Sequence, residues 1–233
     1  MDARRGYVPE DDQNFSPEAL AVMRTASRHV YYLINEGYDL KQTTTFVGNH
    51  FLLSERQRLA LMRSLATKEQ VANREAKQIL SSSLSGKEVW IDGFNMIITL
   101  EVLLSDSILF TCMDGAVRDL AALRGTYRII PQTAEAIHII LSILQDANVR
   151  KVNILLDSPV SNSGRLKTLI AEIGEEYSFN LDIQILKAVD RELYGKENVI
   201  TSDSVILDHC ISWVNFTAEY LKKESYTVLK VWQ

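Results

Sequence analysis

Two rhythms divide the chain. Between residues 16 and 80 apolar positions recur at helical spacing: Leu20, Met23, Ala26, Val30, Leu33 and Ile34 fall on one stripe. Ser16-Pro17-Glu18 supplies an N-cap, a proline at the first helical position and an acid in the first turn. Gly37 ends that helix after about Glu36. Asp39 starts a second, shorter helix through Phe46-Val47. Ser54-Glu55-Arg56-Gln57 has capping-box form, and the spacing predicts a third helix from there to about Leu80. Residues 1–15 are polar and expected to fray.

After Gly86 short β-branched runs alternate with helical segments. The pattern predicts strands at 88–92, 151–157, 181–187, 198–201 and 226–232, and helices near 95–104, 133–146, 163–176 and 204–223. That alternation argues for α/β architecture, a parallel sheet with helices on both faces. Ser81-Ser82-Ser83-Leu84-Ser85-Gly86 is the serine-rich stretch where the rhythm changes. It separates an α-helical N-terminal domain, 1–82, from an α/β domain, 86–233.

Four apolar runs close on an aspartate: Val89-Trp90-Ile91-Asp92, Ile154-Leu155-Leu156-Asp157, Leu186-Lys187-Ala188-Val189-Asp190 and Val199-Ile200-Thr201-Ser202-Asp203. In a parallel sheet all strands point one way, so these acids gather at the carboxyl edge, where ligands bind in such folds. One such residue is usually a helix cap. Several close together repel and raise one another's pKa. Mg²⁺ or Mn²⁺ relieves that cost, because hard cations take oxygen ligands. The pattern fits a divalent-metal phosphodiesterase or phosphatase. Gly93 lets the chain turn sharply after Asp92. Asn95 could orient the first carboxylate or a substrate oxygen, and Thr201, Ser202 and helix N-terminal amides could hold a phosphate. Asp114 and Arg118, in Asp114-Gly115-Ala116-Val117-Arg118-Asp119, are expected at the start of a helix. Glu101 either faces the site or is exposed; both readings stand. Asp208, five residues after Asp203, lies on another helical face and ranks second.

Composition narrows the partners. The chain is 46% hydrophobic and 24% charged, with no apolar run near the roughly 20 residues that span a bilayer. No membrane partner is expected, and the two isolated cysteines, Cys112 and Cys210, suit a reduced, cytoplasmic protein. Net charge is −5, unevenly placed: 11 Lys+Arg against 10 Asp+Glu in residues 1–80, and 14 against 20 afterwards. Arg56, Arg58 and Arg63 on the third helix are either a surface for a phosphate backbone or a solvated face with internal ion pairs. Arg165 enters a helix after Asp157 and either meets phosphate or is a plain surface residue. Nucleophile elbows, glycine-rich phosphate loops and spaced histidine ligands are absent from the sequence. Asp92-Gly93 is similar to the nucleophile of haloacid-dehalogenase-like phosphatases, but Phe94 stands where those enzymes need a second aspartate.

Ile91-Asp92-Gly93-Phe94-Asn95, Leu155-Leu156-Asp157, Asp190 and Thr201-Ser202-Asp203, in that order, resemble the PIN-like nuclease superfamily, especially its NYN-type branch. With Gly37-Tyr38-Asp39-Leu40 and Val47-Gly48-Asn49 before it, the chain is similar to a prokaryotic two-domain family with a helical N-terminal half. The resemblance implies a PIN-like parallel sheet and metal-dependent hydrolysis of RNA. It implies Asp92, Asp190 and Asp203 as metal-binding positions, with Asp157 as a fourth acid or orienting group. Glu101 would match the helix-borne acid of many such domains. The alternative is a non-catalytic RNA- or protein-binding module on the same scaffold. The terminal strand at 226–232 either pairs across a homodimer or completes the sheet.

Overall fold

The computed structural model describes residues 4–121, 125–222, 226 and 228–232. Helices come first: α1 (Asp11–Asn14), α2 (Pro17–Asn35), α3 (Leu40–His50), α4 (Glu55–Ser64) and α5 (Lys68–Lys77). Their starts follow local cap chemistry. Ser16 accepts from the Ala19 N–H, Asp39 accepts from the Gln42 N–H, and Ser54 and Gln57 close a reciprocal capping box. The single helix expected over residues 55–80 is instead two. Leu65 turns extended, and Thr67 and Gln70 form a second capping box that restarts the chain as α5. Apolar spacing does not register such a break, because a cap is polar chemistry.

Strand β1 (Gln78–Ile79) and a 3₁₀ turn at Ser81–Ser83 lead to β2 (Glu88–Asp92) and α6 (Gly93–Leu104). An antiparallel hairpin follows, β3 (Leu109–Thr111) and β4 (Val117–Asp119). It replaces the helix start expected at residue 114. Asp114 Oδ1 accepts from the Ala116 N–H at 3.1 Å, and Gly115 takes φ +76°, which closes a tight turn. Then come α7 (Gln132–Asp146), β5 (Lys151–Asp157), α8 (Ser163–Gly174), β6 (Asn180–Leu186), α9 (Val189–Leu193), β7 (Val199–Ile200), α10 (Ser204–His209), β8 (Trp213–Val214) and α11 (Phe216–Leu221). The helix expected over 204–223 is therefore interrupted by β8. Trp213 and Val214 are fully buried and pair with Val199 and Ile200; a two-residue strand is too short for periodicity to reveal. Over the described part of 226–232 the chain makes one isolated bridge, Leu229 with Phe110. Thr227 lies outside the described residues.

The main sheet is parallel, in the order β1-β8-β7-β2-β5-β6. Alternating side chains feed two cores. Ile91, Ile154, Leu156 and Ile200 meet α6, α7 and α8 on one face. Leu155, Val199 and Trp213 meet α9 and α10 on the other. Adjacent strands β2 and β7 thus send their following helices to opposite faces, the switch point beside which ligands bind in sheets of this kind. The N-terminal helices enclose a third core that also takes in Phe110, Leu120 and Val231. The helical segment also lends β1 to the sheet edge.

Gly93 has a different reason from the sharp turn expected of it. Its φ is not positive. A Cβ there would stand 2.6 Å from Leu156 Cδ2 and 2.9 Å from the Leu155 carbonyl oxygen. Glycine lets α6 begin directly against β5. Gly93→Ala is expected to destabilise by about 1–3 kcal/mol through overpacking. Urea unfolding measures this, and an unchanged midpoint would sink the packing account.

Candidate functional site

Asp92 ends β2 and caps α6, accepting from the Asn95 N–H at 3.4 Å. Ile91 pairs with Ile200, so Thr201 comes level with Asp92. The Thr201 hydroxyl lies 3.0 Å from Asp92 Oδ2 and 3.3 Å from Asn95 Oδ1. Asp203 caps α10, accepting from the Val205 and Ile206 N–H groups at 2.8 and 3.3 Å. Asp157 ends β5 two residues beyond Leu155, the partner of Asp92. Asp190 sits in the first turn of α9.

These acids feel one another. Asp92 is only 6% exposed, and its pKa is pushed up to about 8. Burial is the main cause and the charge of Asp203 the next; Asp157 adds to it, while the bonds from Thr201 and Asn95 oppose it. Asp190 is raised by burial, then by Asp203 and Asp157. Asp157 is raised by burial, against the N–H of Val189. The fold therefore brings Asp92, Asp157, Asp190 and Asp203 into one electrostatic neighbourhood. Among the described residues, however, no three His, Cys, Asp or Glu side chains are grouped closely enough to hold a metal ion.

The polar residues around them largely satisfy each other. Asn95 Oδ1 accepts from the Ser202 N–H at 2.8 Å and its hydroxyl at 3.0 Å. The Asp203 N–H donates to Thr201 Oγ1 at 3.0 Å. Thr201, Ser202 and the first amides of α10 are thus engaged within the site and do not form the phosphate cradle expected of them. Asn95 Nδ2 makes no hydrogen bond among the described residues, so it is the donor left for a substrate oxygen. Sequence reasoning passed over Thr99. Thr99 donates to Asp119 Oδ2 at 3.0 Å, one turn beyond Asn95 on the same helix. The signal available was that i,i+4 spacing.

Other candidates lie elsewhere. Glu101 neither faces the site nor meets solvent. It stands nine residues after Asp92, about 13 Å along a helix. There it is completely buried, accepting from Arg5 Nε at 2.8 Å, the Tyr127 hydroxyl at 2.6 Å and the Thr133 hydroxyl. Burial, then Glu101, holds the Tyr127 phenol above its ordinary range. Asp114, buried, and Asp208, half-buried, belong to an ion network around the buried Arg74. Arg74 donates to Asp114 Oδ2 at 2.9 Å and to both oxygens of Asp208 at 2.7 and 2.9 Å.

The expected phosphate-binding arginines divide in the same way. Arg56 donates to Asp11, the Leu120 carbonyl and the Gly6 carbonyl. Arg58 donates to the Leu53 carbonyl and Asn49 Oδ1, both at 2.9 Å. Arg118 is buried against Asp114. Packing engages these donors inside the protein, which fits the alternative of internal pairing for Arg56 and Arg58; Arg118, also a candidate for nucleic acid, is turned inward as well. Arg63 is half-buried, 4.0 Å from Asp119. Arg165 stays exposed in the first turn of α8, without an ion pair among the described residues.

A family model described as "Domain of unknown function (DUF5616)" matches residues 81–219, the span that carries all four clustered acids. The chain belongs to the DUF5616 family. Ahead of that family's domain, residues 22–77 match "Protein of unknown function (DUF434)". The chain is also similar to "Uncharacterized protein MJ0935" of Methanocaldococcus jannaschii, 35% identical over 198 residues, covering 83% of this chain and 95% of the relative. No solved structure matches the chain. Among the described residues no helix is long and apolar enough to cross a membrane.

Proposed function

We propose that the carboxyl edge of β2, β5 and β7 is the site of a divalent-metal-dependent ribonuclease with a PIN-like sheet. The supporting observation is the gathering of Asp92, Asp157, Asp190 and Asp203 at one edge, where burial first and the charge of Asp203 second push the Asp92 carboxyl up to about 8. An all-oxygen acidic cluster of this kind is the donor chemistry of Mg²⁺ or Mn²⁺. Among the described residues the side chains form no closed three-ligand cage. Mg²⁺ commonly keeps several waters and takes only one or two carboxylates, so a hydrated ion suits the edge. Asp92 and Asp203 would hold it, with Asp190 and Asp157 as outer acids. When bound, such an ion polarises a phosphodiester and makes water more acidic.

The chain's own residues do the rest. Asp92 must give up its proton, and Thr201 and Asn95 already favour its charged form. Asn95 Nδ2 offers a donor to a phosphate oxygen. Exposed cations flank the edge: Arg165 after the Asp157 loop, Lys187 directly after β6, and Arg191 in α9. None forms an ion pair among the described residues, which suits a polyanionic strand.

Mn²⁺-dependent cleavage of single-stranded and structured RNA by the full chain tests the reading. Cleavage and Mn²⁺ affinity should both rise as pH climbs towards 8, because binding displaces the Asp92 proton. Absence of both cleavage and Mn²⁺ binding would sink it. The lack of a three-ligand group among the described residues favours one alternative, a non-catalytic RNA-binding module. That reading predicts salt-sensitive RNA binding indifferent to Mn²⁺.

A further inference from the structure

We propose that Arg118 is a positioning residue for the Thr201–Asp203 loop, and that the N-terminal helices set the geometry of that loop through it. This rests on the reading of the Asp92–Asp203 edge as the site. The Ser202 peptide is clamped from two sides. Its N–H donates to Asn95 Oδ1 at 2.8 Å, and its carbonyl accepts from Arg118 Nε at 2.6 Å. Asp203 is the next residue.

Arg118 is buried, and every nitrogen of its fork donates a hydrogen bond. Nη2 donates to Asp114 Oδ2 at 2.7 Å; Nη1 donates to Asp114 Oδ1 and to the Arg63 carbonyl, both at 3.1 Å. That carbonyl lies in the last turn of α4, where helix carbonyls lack intrahelical partners. Asp114 continues to Arg74 of α5, and Arg74 to Asp208 of α10. Two arginines and two aspartates already balance charge, so the bond to Ser202 is not needed to neutralise the network. What it adds is a rigid link from α4 and α5, through the β3–β4 hairpin, to the backbone that presents Asp203. A lysine offers a single point charge and cannot make this fork.

Amide hydrogen exchange on the full-length protein tests the link without relying on activity. The variants are Arg118→Gln, Arg118→Lys and Asp208→Asn, each with its urea stability measured. Asp208→Asn weakens the same network but touches no part of Ser202. After correction for global stability, Arg118→Gln is expected to speed exchange at the Ser202 and Asp203 amides about tenfold or more relative to Asp208→Asn. Arg118→Lys keeps the charge and guards against a failure to fold; it is expected to give an intermediate acceleration at the same two amides. In RNA cleavage both Arg118 variants should lower kcat with KM little changed. Equal corrected exchange at Ser202 in the Arg118 and Asp208 variants would overturn the proposal. An inactive wild-type protein would overturn the ribonuclease reading instead and leave the exchange comparison intact.

Discussion

Asp92→Asn is expected to pull activity and stability in opposite directions. Cleavage of RNA should fall about 100-fold or more, the scale on which enzymes lose rate when one preorganised electrostatic group is removed. The folded state should gain stability over wild type as pH rises. The sign follows from the raised pKa of Asp92, about 8 in the fold against 3.8 ordinarily. Below about pH 4 both states hold the proton, and the contribution is fully present. Between that value and about 8 the folded state keeps a proton the unfolded state has lost, so wild-type stability declines with rising pH. Asparagine cannot ionise and removes this slope. Asp157 and Asp190, raised in the same direction, leave part of it behind. Thermal unfolding at pH 5 and pH 8, beside a Mn²⁺-dependent RNA assay, measures both effects. A variant as active as wild type, or a stability gap that does not widen from pH 5 to pH 8, would contradict the assignment.

Asp114→Ala should be the most damaging single change away from the edge. The carboxylate is 1% exposed and bridges Arg74 and Arg118 at 2.9 and 2.7 Å. Burial alone would raise its pKa, yet Arg118 and Arg74 hold it below the usual carboxylate range. Alanine leaves one buried guanidinium, Arg118, without a counter-charge, and Arg74 with Asp208 alone. Breaking a buried pair from one side costs about 3–5 kcal/mol. For a chain of this length that lowers Tm by on the order of 10 °C. Calorimetry at neutral pH checks it. The gap from wild type should narrow in acid, as the depressed carboxyl takes up its proton and its contribution is lost. A loss below about 1 kcal/mol would show that the network relaxes or admits water.

Much of the frame is local and could be read directly. Ser16, Asp39 and Ser54 cap helices within three residues of themselves, so α2, α3 and α4 start where the sequence places them. The β-branched runs at 88–92 and 151–157 became β2 and β5 with those bounds. Harder to read were breaks that replace one polar signal with another, such as the second capping box at Thr67, and strands of two residues such as β8.

The acids show where sequence stops. A strand that ends in aspartate, in a sheet whose strands all run one way, must put that carboxylate at the common edge. Asp92 and Asp157 end strands, and Asp190 and Asp203 follow β6 and β7 within four residues, so the four could be assigned to that edge from their positions. Glu101, Asp114 and Asp208 are the same kind of residue in similar apolar settings, and nothing near them in the chain separates them from the first four. Their partners are distant: Arg5 lies 96 residues from Glu101, and Arg74 lies 134 from Asp208. Local chemistry places an acid on an element. Only the packing of elements decides whether an arginine meets it or another acid does, and that decides whether the carboxylate is neutralised by a partner, as Asp114 is, or held above its ordinary pKa, as Asp92 is.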